Sequence, residues 1–102
     1  IYDAAWNKLV SAGSTAQAAT ANIIQEFDIA DTRLETGLYH LALVFDNTTA
    51  TILRAALSTP GDGTSVGMFL MGSAFPLPAT LSGITRNGGV IPVMGMSTRA
   101  TI

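Results

Sequence analysis

The sequence predicts one small β-rich domain, and three features carry that prediction. Tyr39, Leu41, Leu43 and Phe45 alternate with Leu38, His40, Ala42 and Val44 across residues 37–46. One face is strongly apolar and the other mildly so, which suits a central strand packed on one side and partly covered on the other. Turn chemistry follows at Asp46-Asn47-Thr48-Thr49 and again at Arg86-Asn87-Gly88-Gly89, because Asp and Asn side chains mimic backbone turns and Asn and Gly tolerate left-handed backbone. Residues 90–102 then alternate once more. Val90, Met94, Met96, Ala100 and Ile102 share one face, and Ser97, Arg99 and Thr101 share the other.

The chain has 102 residues, enough for a single domain over 1–102 with one core. Hydrophobic residues make up 48% and charged residues 12%, where about a quarter would be ordinary. Such a surface is covered by Ser, Thr, Asn, Gly and Ala. It fits a hydroxyl-rich extracellular or virion surface, or a subunit whose apolar faces are covered by copies of itself. The five cations, Lys8, Arg33, Arg54, Arg86 and Arg99, are scattered and the net charge is −2. That argues against nucleic-acid binding, which needs clustered cations, and against a polybasic membrane-surface segment. The absence of cysteine excludes disulfides, Cys-based metal sites and thiol chemistry. Ile1 rather than Met at the start leads us to expect a C-terminal fragment or a processed product. The apolar stretches, such as residues 41–45, are too short to span a bilayer.

Residues 50–57 read as the hairpin partner of the 37–46 strand. Pro60, Gly61, Asp62 and Gly63 make residues 59–65 a loop. Residues 66–75 are apolar but broken by Gly67 and Gly72, and a short helix near 66–74 is the expectation there. Pro76 and Pro78 impose extended conformation on the residues before them. Pro92 sits near the start of the terminal strand, where a missing donor is tolerable. The first third supports two readings. Ala16, Ala19, Ile23 and Phe27 fit a helical stripe, with Ser14 and Gln17 as a capping box. Ile23, Phe27 and Ile29 also fit a strand. Residues 3–12 read either as a short helix ending at Gly13 or as a hairpin with its tip at residues 4–7.

No residue set assembles a catalytic or metal centre. His40, the one histidine, lies mid-strand with no second ligand or nucleophile near it in sequence, so it reads as a packed, hydrogen-bonded residue. Asp28, Asp31 and Glu35 flank a turn and read as solvated rather than as an acid–base pair in a cleft. The serines lack a Gly-x-Ser-x-Gly elbow. Residues 61–65 lack the Lys and the spacing of a phosphate loop, and Asp62 has no acidic cluster around it for Ca²⁺. Asn47-Thr48-Thr49 matches a glycosylation acceptor, relevant only in a eukaryotic secretory route. Trp6, the one tryptophan, stacks on a ligand or anchors a partner if it sits at a hairpin tip, and is core if it sits on a helix; the packed reading is preferred. Trp6, Asp62 and Thr64 are the candidate ligand-binding residues, and Phe69 and Met71 the candidate subunit contacts. No cofactor or metal is expected.

Ile1-Tyr2-Asp3, Leu9-Val10-Ser11 with Gly13, Ile29-Ala30-Asp31-Thr32 with Leu34, Gly37-Leu38-Tyr39-His40-Leu41-Ala42-Leu43 and Asn47-Thr48-Thr49-Ala50-Thr51 together carry a resemblance. So do Phe75-Pro76-Leu77-Pro78 and Val90-Ile91-Pro92-Val93-Met94-Gly95. The chain resembles the C-terminal β domains of tailed-phage and prophage tail-fibre or spike proteins, in which Leu-x-x-Gly-x-Tyr-Tyr-Leu-Ala-Leu precedes a turn and a Thr-rich strand. The resemblance covers most of the chain through turn and strand patterns of low information content. It implies an antiparallel, jelly-roll-like β-sandwich, a homotrimer at the distal end of a virion appendage, a hairpin at 1–10 and a strand at 23–29. It implies host-surface glycan, receptor or other virion proteins as partners. His40 departs from the pattern, which has a second Tyr there, and Ala4-Ala5-Trp6-Asn7 replaces a polar Gly-type turn. No family binding residue transfers, since no shared site motif is present. A bacterial extracellular carbohydrate-binding or adhesion module is the alternative. A third is the binding portion of an enzyme whose chemistry lies on another domain.

Overall fold

The computed structural model describes residues 1–56, 67, 69–72, 75–86 and 90–97. These residues form short strands joined by loops, with no helix among them. The strands are β1 (Tyr2–Asp3), β2 (Tyr39–His40), β3 (Arg54–Ala56), β4 (Phe69–Leu70), β5 (Thr85–Arg86) and β6 (Val90–Pro92). They pair into three two-stranded antiparallel sheets, β1–β2, β3–β6 and β4–β5. The chain divides into two compact units, one of Ile1–Ala50 with Met71–Gly83 and one of Thr51–Leu70 with Ile84–Ile102.

In the first unit, β1 meets β2 in the register Tyr2 to His40 and Asp3 to Tyr39. The chain also folds back on itself, with Tyr2 bridged to Lys8. The hairpin reading of residues 1–10 is therefore the observed one. Tyr2 is the one fully buried side chain among the described residues. The apolar alternation continues past β2 through residue 45, yet no backbone group of residues 41–45 has a hydrogen-bond partner among the described residues. The expected strand at 37–46 is thus realised only at its paired part, because a strand is defined by a neighbour and not by its own pattern.

The strand expected at 23–29 is not formed; Ile23 and Phe27 are exposed and pair with nothing among the described residues. Nor is the helical alternative, despite Ser14 and Gln17. Gln25 instead braces the small-residue run. Its Oε1 accepts from the Ala18 amide at 2.7 Å and its Nε2 donates to the Ala16 carbonyl at 2.8 Å. The turn after residue 46 forms as expected. Asn47 Oδ1 accepts from the Thr49 amide (2.9 Å), the Thr49 hydroxyl (2.9 Å) and the Ala50 amide (2.8 Å).

In the second unit, β3 runs against β6 with Arg54 opposite Pro92, Ala55 opposite Ile91 and Ala56 opposite Val90. The ladder gains one rung where the Val93 amide donates to the Leu53 carbonyl at 2.9 Å. This corrects the expectation that residues 50–57 return along the 37–46 strand. Arg54–Ala56 takes its partner from the terminal segment instead. Pro92 closes β6 rather than opening it, and of the expected 90–102 strand, residues 98–102 lie outside the described residues.

The short helix expected near 66–74 is also corrected. Phe69–Leu70 is strand β4, paired Phe69 to Arg86 and Leu70 to Thr85, with the Thr85 hydroxyl donating to the Leu70 carbonyl at 3.2 Å. Gly67 has φ +74°, outside the right-handed helical region, so a helix cannot run through it. Residues 66, 68, 73 and 74 lie outside the described residues.

Candidate functional site

A hydrogen-bonded cluster of polar and aromatic groups surrounds the N-terminal hairpin. Asp3 builds its tip. The Asp3 amide donates to the Asn7 carbonyl and the Trp6 amide to the Asp3 carbonyl, both at 3.0 Å. Asp3 Oδ1 accepts from the amides of Ala5 and Asn7, both at 2.9 Å. These bonds describe a three-residue loop, Ala4-Ala5-Trp6, of the kind whose third position is left-handed and normally Gly. Trp6 occupies that position at φ 67°.

A side chain at such an angle costs roughly 1–2 kcal/mol. The compensation lies across the sheet. The Trp6 indole stacks on the His40 imidazole with ring centroids 4.0 Å apart and planes 16° from parallel. A stacked aromatic pair contributes about 0.5–1.5 kcal/mol beyond its buried area, which offsets the strain to within its own size. His40 reaches this position because β2 pairs it with Tyr2, four residues before Trp6.

Residues 77–81 hold the other side of the hairpin. The Lys8 amide donates to the Ala79 carbonyl at 2.7 Å and the Leu81 amide to the Trp6 carbonyl at 2.9 Å. Lys8 Nζ donates to the Leu77 carbonyl at 2.9 Å, and the Tyr2 hydroxyl to the Pro78 carbonyl at 2.5 Å. The Thr80 hydroxyl donates to Asn7 Oδ1 at 3.2 Å. Burial pushes the Tyr2 phenol up from its usual range. The Asn7 amide holds the Asp3 carboxyl below the usual carboxylate range; burial opposes that shift, and the Ala5 amide adds to it.

Trp6 is thus both at a hairpin tip and packed, and half-exposed. Its partner His40 was not legible as such, since no local signal links residues 34 positions apart. Asp62 and Thr64, and with them the 59–65 loop, lie outside the described residues. Phe69 and Met71 are each half-buried, Phe69 in β4 of the second unit and Met71 in the first. Asp28, Asp31 and Glu35 are exposed. Glu35 pairs with Arg33 at 2.9 Å with both side chains in solvent, which contributes little. No group of three or more metal-binding side chains occurs among the described residues. No helix among them is long and apolar enough to cross a membrane. What the cluster offers chemically is an aromatic platform flanked by the Asp3, Asn7 and Thr80 polar groups, a set suited to stacking and hydrogen bonding.

Comparison with protein-family models, with characterised proteins and with solved structures yields no match.

Proposed function

We propose that this chain is a structural domain of a phage tail fibre or spike, a homotrimeric virion component that assembles through its apolar faces and binds a host-surface glycan or receptor. One observation carries the reading. Tyr2 is the one fully buried side chain among the described residues, while fourteen large hydrophobic side chains are exposed, among them Ile24 at 90% and Leu38 at 67%. Singly scattered apolar residues are normal, but exposure on this scale beside so small a core marks surface that a partner covers. With only 12% charged residues, little opposes the approach of identical copies. In the trimer the small antiparallel sheets become parts of a jelly-roll-like sandwich whose layers are completed between subunits. The role is binding and assembly in a tail appendage rather than catalysis. Trp6 offers the glycan-facing aromatic surface, and Phe69 and Met71, each within its own unit, contribute to subunit contacts.

Size-exclusion chromatography with light scattering tests this. A trimer of the 10.6 kDa chain has a mass of about 32 kDa, three times the protomer. A stable 10.6 kDa monomer at micromolar concentration overturns the reading. The half-exposed Trp6–His40 stack also fits a bacterial extracellular carbohydrate-binding or adhesion module. A monomer that binds polysaccharide would favour that second reading.

A further inference from the structure

We propose that residues 41–45 are the receiving edge for a strand donated by a neighbouring copy of this chain. The proposal rests on the assembly reading above and names the place where it happens. Leu41-Ala42-Leu43-Val44-Phe45 follows β2 directly. None of its five amides and five carbonyls has a hydrogen-bond partner among the described residues. Backbone groups set among apolar side chains need partners, and a row of them continuous with a paired strand is the template that strand addition uses.

The side chains identify the occupant. The segment carries no charge and no polar side chain. A charged peptide or a nucleic acid would find nothing to pair with here, whereas an apolar strand would. Leu41 is 39% and Leu43 44% exposed, and Leu38, just before β2, is 67% exposed. The donor must bring matching apolar surface and its own unpaired backbone. This chain supplies both: Met94 and Met96 are exposed, and no backbone bond joins residues 94–97 to any described residue. Self-pairing of 41–45 would generate a two-fold dimer. A three-fold ring requires a different segment of the neighbour as donor, and residues 94–97 meet that requirement.

Amide hydrogen exchange on the wild-type oligomer tests the proposal. Exchange across 41–45 is expected to be slowed at least about 100-fold relative to an unstructured peptide, a protection that no backbone bond among the described residues supplies. Leu43→Pro removes one donor from the edge and inserts a ring that a central strand rejects. It is expected to convert the oligomer to the 10.6 kDa protomer, with Trp6 fluorescence showing the hairpin still folded. Unprotected 41–45 amides in a wild-type trimer overturn the proposal and leave the assembly reading standing, as does a folded L43P trimer. A monomeric wild type overturns both. If Leu43→Pro fails to fold, the wild-type exchange decides.

Discussion

Replacing Tyr2 isolates what the one buried side chain of the described structure contributes. Its ring is fully buried (0% exposed) and its hydroxyl donates to the Pro78 carbonyl. Tyr2→Phe keeps the ring and removes that bond. A single neutral hydrogen bond contributes about 0.5–1.5 kcal/mol, which lowers the midpoint of thermal unfolding by roughly 4–8 °C per kcal/mol for a chain of this size. Tyr2→Ala also empties the space the ring fills, and truncating a buried aromatic side chain costs about 3–5 kcal/mol. Total stabilities of small domains are about 5–15 kcal/mol, so Tyr2→Ala removes a large part of the whole. The assay is thermal unfolding followed by circular dichroism, at one fixed protomer concentration because assembly adds its own stabilisation. The expected order is wild type, then Tyr2→Phe, then Tyr2→Ala, with the second step the larger. A Tyr2→Ala protein melting within about 4 °C of wild type would refute the claim that the hairpin packs around Tyr2.

Other consequences concern the hairpin and the turn. His40→Ala is expected to cost about 0.5–1.5 kcal/mol and to shift the emission of Trp6, its stacking partner and the one tryptophan; unchanged emission would deny the stack. Trp6→Gly is expected to be more stable than Trp6→Ala by about 1 kcal/mol, since both lose the stack but only Ala keeps the strain of φ 67°; equal midpoints in urea would contradict this. The Asp3 carboxyl is held low in the folded state. Its contribution is therefore present above its unfolded value, near 3.9, and lost as pH falls through the folded one. Trp6 emission is expected to change in that acid window in wild type and less in Asp3→Asn, and identical acid titrations would count against it. Asn47→Ala deprives two amides and a hydroxyl of their acceptor and is expected to cost about 0.5–2 kcal/mol, as for a lost cap, read from the same melts.

The sequence was informative wherever structure is set within a few residues. The Asn47 turn forms as its side-chain chemistry dictates, and the β pattern around residue 40 marks β2. Residues 3–12 were balanced between helix and hairpin because the left-handed tip lacks glycine. Asp3 builds the turn through its carboxylate, and Trp6 bears the strain because His40 meets it. That second condition is not local. Neither is the choice of 90–92, rather than 39–40, as partner for 54–56, since alternation specifies a face and leaves the neighbour open. The helix expected at 66–74 gave too little weight to Gly67, whose positive φ decides the matter. At the candidate site, Trp6 stood out by its rarity, whereas the 77–81 carbonyls that hold the hairpin are backbone groups and leave no trace in composition.

The bond from Tyr2 to Pro78 also spans time. The two residues are 76 positions apart, and a ribosome adding about 5–20 residues per second needs roughly 4–15 seconds to travel between them. In the later part of that interval Tyr2, Val10 and the apolar run at 41–45 are all made, while the segment that closes over the hairpin does not yet exist. The nascent chain therefore passes through a window in which its stickiest stretches outnumber their coverings, and its yield in a cell depends on what keeps neighbouring nascent chains apart until residue 81 emerges.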